Sequence, residues 1–234
     1  MPLFIGVHMN ILVACEESQE VCKAFRAKGH DAFSCDVLNC SGKHPEWHIK
    51  RDVLPLLTSG YHFFNTEDGK AHCKCWDMIL AFPPCTHLAV SGSKYFAEKR
   101  ADGRQLHAIK FFYKMINAGC EKICVENPIG IISGKYIGKY YGYDALKPTQ
   151  IIQPFMFGHP ESKKTCLWLK NLPPLKPTNF LELPQSGKWD NQTSDHQNKL
   201  IIDGKWISYN DPRTAIYRSK TYPGIAQAMA DQWG

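Results

Sequence analysis

Short apolar runs alternate with amphipathic stretches along most of this chain, the pattern left by strands and helices laid down in turn. Ile11–Cys15 reads as a strand. Glu16–Lys28 reads as a helix with Val21, Cys22, Ala24 and Phe25 on one side and Gly29 as its stop. Asp31–Cys35 is a second strand ending in Asp36. Strand, helix and strand so close together predict a βαβ unit and a parallel sheet. Leu38–Lys50 is loop-like, and Arg51–Pro55 ends a third element. Trp76–Phe82 and Lys122–Val125 are apolar runs of buried-strand type. Between them lie a long loop, Thr86–Asp102, and an amphipathic helix, Arg104–Asn117. Thr149–Ile152 and Thr165–Leu169 are two more strands, and their short connection predicts that the last is antiparallel. Pro173–Pro212 is polar and aperiodic, a small lobe or an extended loop. Tyr222–Trp233 closes as a helix with Ile225, Ala226, Ala228, Met229 and Trp233 as its apolar positions. The expected organisation is an α/β unit over 1–172, a small lobe over 173–212 and a C-terminal helix over 213–234 that packs back on the first unit.

Composition narrows the class. At 234 residues, 44% hydrophobic and 21% charged, the chain is globular. No apolar run reaches the roughly 18 residues of a membrane span, and Met1–His8 lacks a basic leader and a cleavage site, so a cytoplasmic protein is expected. Ten cysteines, several inside apolar strands (Cys15, Cys124, Cys166), fit reduced buried thiols and not a disulfide framework. His72-Cys73-Lys74-Cys75 has no second pair at zinc spacing. It follows the turn residues Asn65–Lys70, so a hairpin rung is expected there and no metal. Net charge is +6. From Gly130 to Lys176, Lys135, Lys139, Lys147, Lys163, Lys164, Lys170 and Lys176 face only Asp144 and Glu161. Such a run is either a phosphate-contacting surface or a solvated face.

The chemistry concentrates at two strand ends. Phe82-Pro83-Pro84-Cys85 follows one apolar run, and Val125-Glu126-Asn127-Pro128 ends the other. Ligands in parallel α/β sheets are held at such ends. A thiolate adds to an electron-poor carbon. A carboxyl kept protonated nearby donates to a ring nitrogen and makes that carbon poorer still. A pyrimidine attacked at C6 and activated at N3 suits the pair.

In these motifs and their order the chain resembles a compact DNA (cytosine-5) methyltransferase of bacterial or phage type. Pro83-Pro84-Cys85 is similar to that family's nucleophile loop and Glu126-Asn127 to its Glu-Asn motif. Pro223–Met229 is loosely similar to its closing motif. The resemblance spans most of residues 9–170. It implies a Rossmann-like S-adenosylmethionine-dependent methyltransferase fold, mostly parallel with an antiparallel last strand and a small C-terminal recognition lobe. It implies DNA as partner, in a bacterial or phage-infected cell, and S-adenosyl-L-methionine as cofactor. Cys85 would add to C6 of a flipped cytosine. Glu126 would hold N3, with Asn127 and Pro128 shaping its turn. Pro84, His87 and Ser91, on a loop able to close over the base, would meet the substrate, as would Lys163 and Thr165. Lys164 stands where the family places a basic catalytic helper. Asp36 would bind ribose, Asp52 the adenine amine, and Pro83 would border the cofactor.

One departure stands out. Where the family has a glycine-rich first turn, this chain has Cys15-Glu16-Glu17-Ser18-Gln19-Glu20, without glycine to adopt positive φ. Cofactor contacts from Cys15, Glu16, Glu17 and Ser18 would then be made in a shifted pose, or the donor differs or binds weakly. The recognition region is also small. Trp189, Trp206 and Tyr209 with Lys188, Lys199 and Lys205 form either a stacking and phosphate-contacting surface or a satellite core. The competing functions are a non-catalytic DNA-binding protein on the same scaffold and a pyrimidine C5 hydroxymethylase-like enzyme.

Overall fold

The computed structural model describes residues 7–185, 199–202, 205–208 and 211–234. Its centre is a seven-stranded sheet built from β1 (Asn10–Ala14), β2 (Asp31–Asp36), β3 (His48–Lys50), β6 (Met78–Ala81), β7 (Lys122–Pro128), β8 (Gln150–Ile152) and β9 (Thr165–Lys170). The order is β3-β2-β1-β6-β7-β9-β8. The first five in that order are parallel neighbours, and β9 runs antiparallel to both β7 and β8. The expected mixed α/β architecture, mostly parallel with an antiparallel strand near the end, is present. The pair β4 (His62–Thr66) and β5 (Gly69–Cys73) is a separate antiparallel hairpin, so His72 and Cys73 are hairpin residues as the turn chemistry predicts.

Both sheet faces are buried, which explains the continuous apolar strands. Leu12, Ala14, Ile79, Ala81, Ile123 and Val125 point to a core shared with Ile109, Phe112 and Met115 of α3 (Arg104–Ile116). Their alternate neighbours Ile11, Val13, Met78, Leu80 and Cys124 point to the other. That core holds Val21, Cys22 and Phe25 of α1 (Glu20–Ala27) and Ile225, Ala228 and Met229 of α6 (Pro223–Trp233). No helix among the described residues is long and apolar enough to cross a membrane.

Several boundaries depart from the pattern. The first helix starts at Glu20 instead of Glu16, because Cys15 and Gln19 take left-handed φ values of 60° and 59° and break the approach. His48–Lys50, expected as loop, is a strand. With Ile49 its one apolar residue it is too short to show a pattern, yet His48 is buried too, its ring between Ser34 Oγ at 2.8 Å and the Leu38 carbonyl at 2.9 Å. The expected loop Thr86–Asp102 holds a 3-10 turn, Val90–Tyr95, and α2 (Phe96–Ala101), anchored by buried Phe96 and Lys99 one turn apart. Asn127 and Pro128 do not form a turn. They continue β7, opposite Cys166 and Thr165 of β9. α4 (Lys135–Tyr141) follows. Beyond Pro173 come β10 (Lys199–Ile202) paired with β11 (Lys205–Ser208), and α5 (Pro212–Ser219). Lys188, Trp189 and Tyr209 lie outside the described residues.

Candidate active site

The chain leaves β1 for β2 and β3 on one side and returns to β6 and β7 on the other. The crevice of such a sheet opens at the carboxyl ends of β1 and β6. The motif residues gather at this edge. Ala81 lies opposite Val125 in parallel register, so Phe82–Cys85 leave the sheet beside Glu126–Pro128, which continue β7 against β9. The Phe82 N–H donates to the Ala14 carbonyl at 2.9 Å, anchoring the turn on β1. Asn127 Nδ2 donates to the Pro83 carbonyl at 2.8 Å and to the Glu126 carbonyl at 3.0 Å. Its Oδ1 is buried without a partner among the described residues, an acceptor left over beside the Cys85 turn. The turn closes through the Leu88 and Ala89 N–H groups, both donating to the Cys85 carbonyl at 2.9 Å.

Glu126 shares a face with Cys124 and so points toward α6. It lines a cavity of about 30 Å³ with Phe82, Lys163, Thr165, Thr221 and Tyr222, roughly the share of one water molecule. The residue stays partly accessible to that cavity, but dense protein surrounds its carboxyl. Burial raises the carboxyl above the usual carboxylate range, with Lys163 opposing. Burial also raises the Cys85 thiol, and the Glu126 charge adds to it, while Lys163 and Arg218 pull it down. The Cys85 thiol, the Glu126 carboxyl and the two cations therefore feel one another. Lys163 is held in place by donating from Nζ to the Arg218 carbonyl at 3.0 Å.

The outer wall comes from the segment before α6. The Tyr222 hydroxyl donates to the Glu161 carboxylate, and the Gly224 N–H donates to His159 Nε2 at 2.9 Å. A Cβ on Gly224 would fall 2.0 Å from the Phe157 carbonyl oxygen, so only glycine allows this approach. His159, Glu161, Arg218 and Tyr222 escaped the sequence reading. The one signal available was a tyrosine at the cap of the closing helix.

Some expected contacts move. Lys164, in the segment just before β9, is exposed, while Lys163 and Thr165 line the cavity; Lys163 is the lysine acting on Cys85 and Glu126. Pro84 and Ser91 are exposed. The loop after Cys85 is no free flap: Leu88 and Ala89 are buried, and Ala89 bridges Gly130. His87 is half-buried, its carbonyl accepting from Gln105 Nε2 at 3.0 Å. Burial, with Lys99 and Arg104 adding and Asp102 opposing, lowers its imidazole below the usual histidine range.

The first loop solves its lack of glycine in two ways. Cys15 and Gln19 adopt the left-handed backbone themselves, a strained choice of the kind that clusters at functional sites. The facing loop supplies a glycine at the contact: a Cβ on Gly42 would lie 2.4 Å from Gln19 Cβ and 2.6 Å from the Ser18 carbonyl. Ser18 is buried beneath it. Glu16 is also turned inward. Its carboxylate accepts from the Val21 N–H at 2.6 Å and the Cys22 N–H at 3.2 Å, capping α1. Even so, burial pushes this carboxyl up to about 7. Glu16 and Ser18 are thus structural in this arrangement, and Glu17 is half-buried, with its carbonyl taking the Ser41 N–H at 2.8 Å. Asp36 and Asp52 remain at the edge, their Oδ1 atoms accepting from Leu38 at 2.9 Å and Leu54 at 3.0 Å. Both carboxylates lie close enough to Cys15 to raise its buried thiol further. Two carboxylates around an irregular backbone fit a ligand rich in hydroxyl and amine donors. A wider cleft of about 550 Å³, lined by Lys23, Arg26, His44 and Trp47, opens at the other end of β2 and β3, away from these residues.

Compared with known proteins, the chain matches no family model and no curated protein.

Proposed function

We propose that this protein is a DNA cytosine C5 methyltransferase. The observation that carries the reading is the placing of Cys85 beside Glu126, whose carboxyl is raised by desolvation, on adjacent strands joined by Asn127. Cys85 thiolate attacks C6 of an extruded cytosine. Glu126 donates its proton toward N3, drawing charge off the ring as the C6–S bond forms. Lys163 and Arg218 favour the thiolate, and Lys163 steadies Glu126 when its proton is shared. Buried Thr165 borders the site. S-adenosyl-L-methionine, when bound, supplies an electrophilic methyl group for C5. Asp36 and Asp52 are the residues suited to its ribose hydroxyls and adenine amine. Loss of the C5 proton and departure of Cys85 return the thiolate.

The deciding experiment is transfer of tritiated methyl from S-adenosylmethionine to mixed-sequence DNA, with mass analysis of the digested nucleosides. Labelled 5-methylcytosine supports the reading; no label from folded protein removes it.

A second reading, a non-catalytic DNA-binding protein on the same scaffold, draws support from two features. The cavity at Glu126 is too small for a base, and the Glu16 carboxylate already occupies the α1 N-terminus. Intact DNA binding without S-adenosylmethionine binding favours it.

A further inference from the structure

Directly beyond the Cys85 turn the chain builds a face that the methyl-transfer chemistry leaves unused. Lys99 of α2 donates from Nζ to the Thr86 carbonyl at 2.6 Å, so this face begins one residue from the nucleophile. Phe96 packs on Tyr136 with ring centroids 5.2 Å apart, joining α2 to α4. Arg100 donates to the Tyr136 hydroxyl and lies over the Tyr140 ring at 4.1 Å. Two aromatic rings remain outside, Tyr95 at 49% and Tyr140 at 42% exposure. Each carries a lysine ammonium over it, Lys94 at 4.8 Å and Lys139 at 4.9 Å.

Charge on this face is one-sided. Its acids, Glu98 and Asp102, are both engaged by Arg104. Among the described residues, Lys94, Arg100, Lys135 and Lys139 have no carboxylate within ion-pair distance. Exposed rings beside unneutralised cations suit a polyanion whose bases offer free faces. A duplex hides those faces within its stack.

We infer that Lys94, Tyr95, Arg100, Lys139 and Tyr140 form a platform for an unpaired DNA strand, so that the site at Cys85 is served by single-stranded or locally opened DNA. The inference rests on the DNA reading of the Cys85–Glu126 site and specifies the form of its substrate.

Fluorescence anisotropy with a labelled mixed-sequence oligonucleotide, as single strand and as duplex, tests it. The single strand should bind about tenfold tighter than the duplex at equal salt. Tyr95→Ala and Tyr140→Ala should each weaken strand binding by roughly fivefold or more, with duplex binding unchanged and the circular dichroism spectrum retained. Lys94→Gln with Lys139→Gln should reduce the log–log salt slope for the single strand by about 1.4. Equal binding of the two forms, or folded tyrosine variants that bind like the parent, would overturn the inference. If DNA is methylated but these variants behave normally, the platform falls and the cytosine chemistry stands. If strand binding depends on the tyrosines while no methyl is transferred, the platform stands and the cytosine chemistry falls.

Discussion

Asn127 holds Pro83 by a 2.8 Å hydrogen bond from its Nδ2 to the proline carbonyl. This bond joins the two strand ends that carry the nucleophile and the acid. A buried amide bond lost without replacement costs about 1–3 kcal/mol. Asn127→Ala should therefore lower unfolding stability by that order in urea titration and also slow methyl transfer. Asn127→Asp, which turns a donor toward the carbonyl into an acceptor, should be worse on both measures. An aspartate variant as active as the parent would separate this bond from catalysis.

Attack at C6 leaves a trace. DNA containing 5-fluorocytosine should trap Cys85 covalently, because the C5 substituent cannot depart as a proton. Cys85→Ser should form no adduct and transfer no methyl while keeping the parent melting curve. Denaturing gels read the adduct directly.

The acid, the thiol and Lys163 are electrostatically linked, and the signs of the linkage are fixed. The Glu126 charge raises the Cys85 thiol and the Lys163 charge lowers it. Glu126→Gln should move Cys85 alkylation by iodoacetamide to lower pH, and Lys163→Met should move it to higher pH. Catalysis asks for Cys85 deprotonated and Glu126 protonated, so kcat/KM should rise and then fall with pH, with limbs belonging to the pair. Movement of the alkylation profile in the same direction for both variants would break the assignment.

Glu16 gives a stability signature. Its carboxyl titrates at about 7 in the folded protein against 4.5 for the unperturbed group. The folded state thus holds a proton that the unfolded chain releases. Its favourable contribution is full below pH 4.5 and is lost as pH rises toward 7. The full swing is about 3 kcal/mol. Urea titrations at pH 5 and pH 8 should show the parent losing stability between them, and Glu16→Gln losing less. If Glu16 instead touched a cofactor, Glu16→Gln would change cofactor affinity more than this pH dependence.

Asp36→Ala should weaken S-adenosylmethionine binding by about tenfold in calorimetry, an amount typical of losing hydrogen bonds to a charged acceptor. Unchanged affinity would mean that the edge around β2 is not where the ribose lies.

The sheet was legible because its strands are apolar on both faces, and the Cys85 and Glu126 strand ends followed from that. β3 was not legible, since three residues with a single apolar position, Ile49, carry no periodic signal at a sheet edge, and His48 is buried by hydrogen bonds instead of hydrophobicity. α2 was missed because a single helical turn has too few apolar positions to register. The glycine-free first loop was correctly read as unusual. Its solution, Gly42 packed against Gln19, depends on a contact between separate loops that no local pattern encodes. The choice between Lys163 and Lys164 was not legible, since both lie in the segment just before β9, where strand alternation does not decide it.

The packing of α6 on α1, in the core that also holds Ile11 and Val13, has a consequence for synthesis. The sheet face that β1 helps to form is covered by α6, which is made long after it, and Tyr222 walls in Glu126 from the start of that same helix. A nascent chain halted before Pro223 would expose Phe25, Val13 and Leu80 to chaperones. The pocket at Glu126 would then be finished only once α6 has cleared the ribosome.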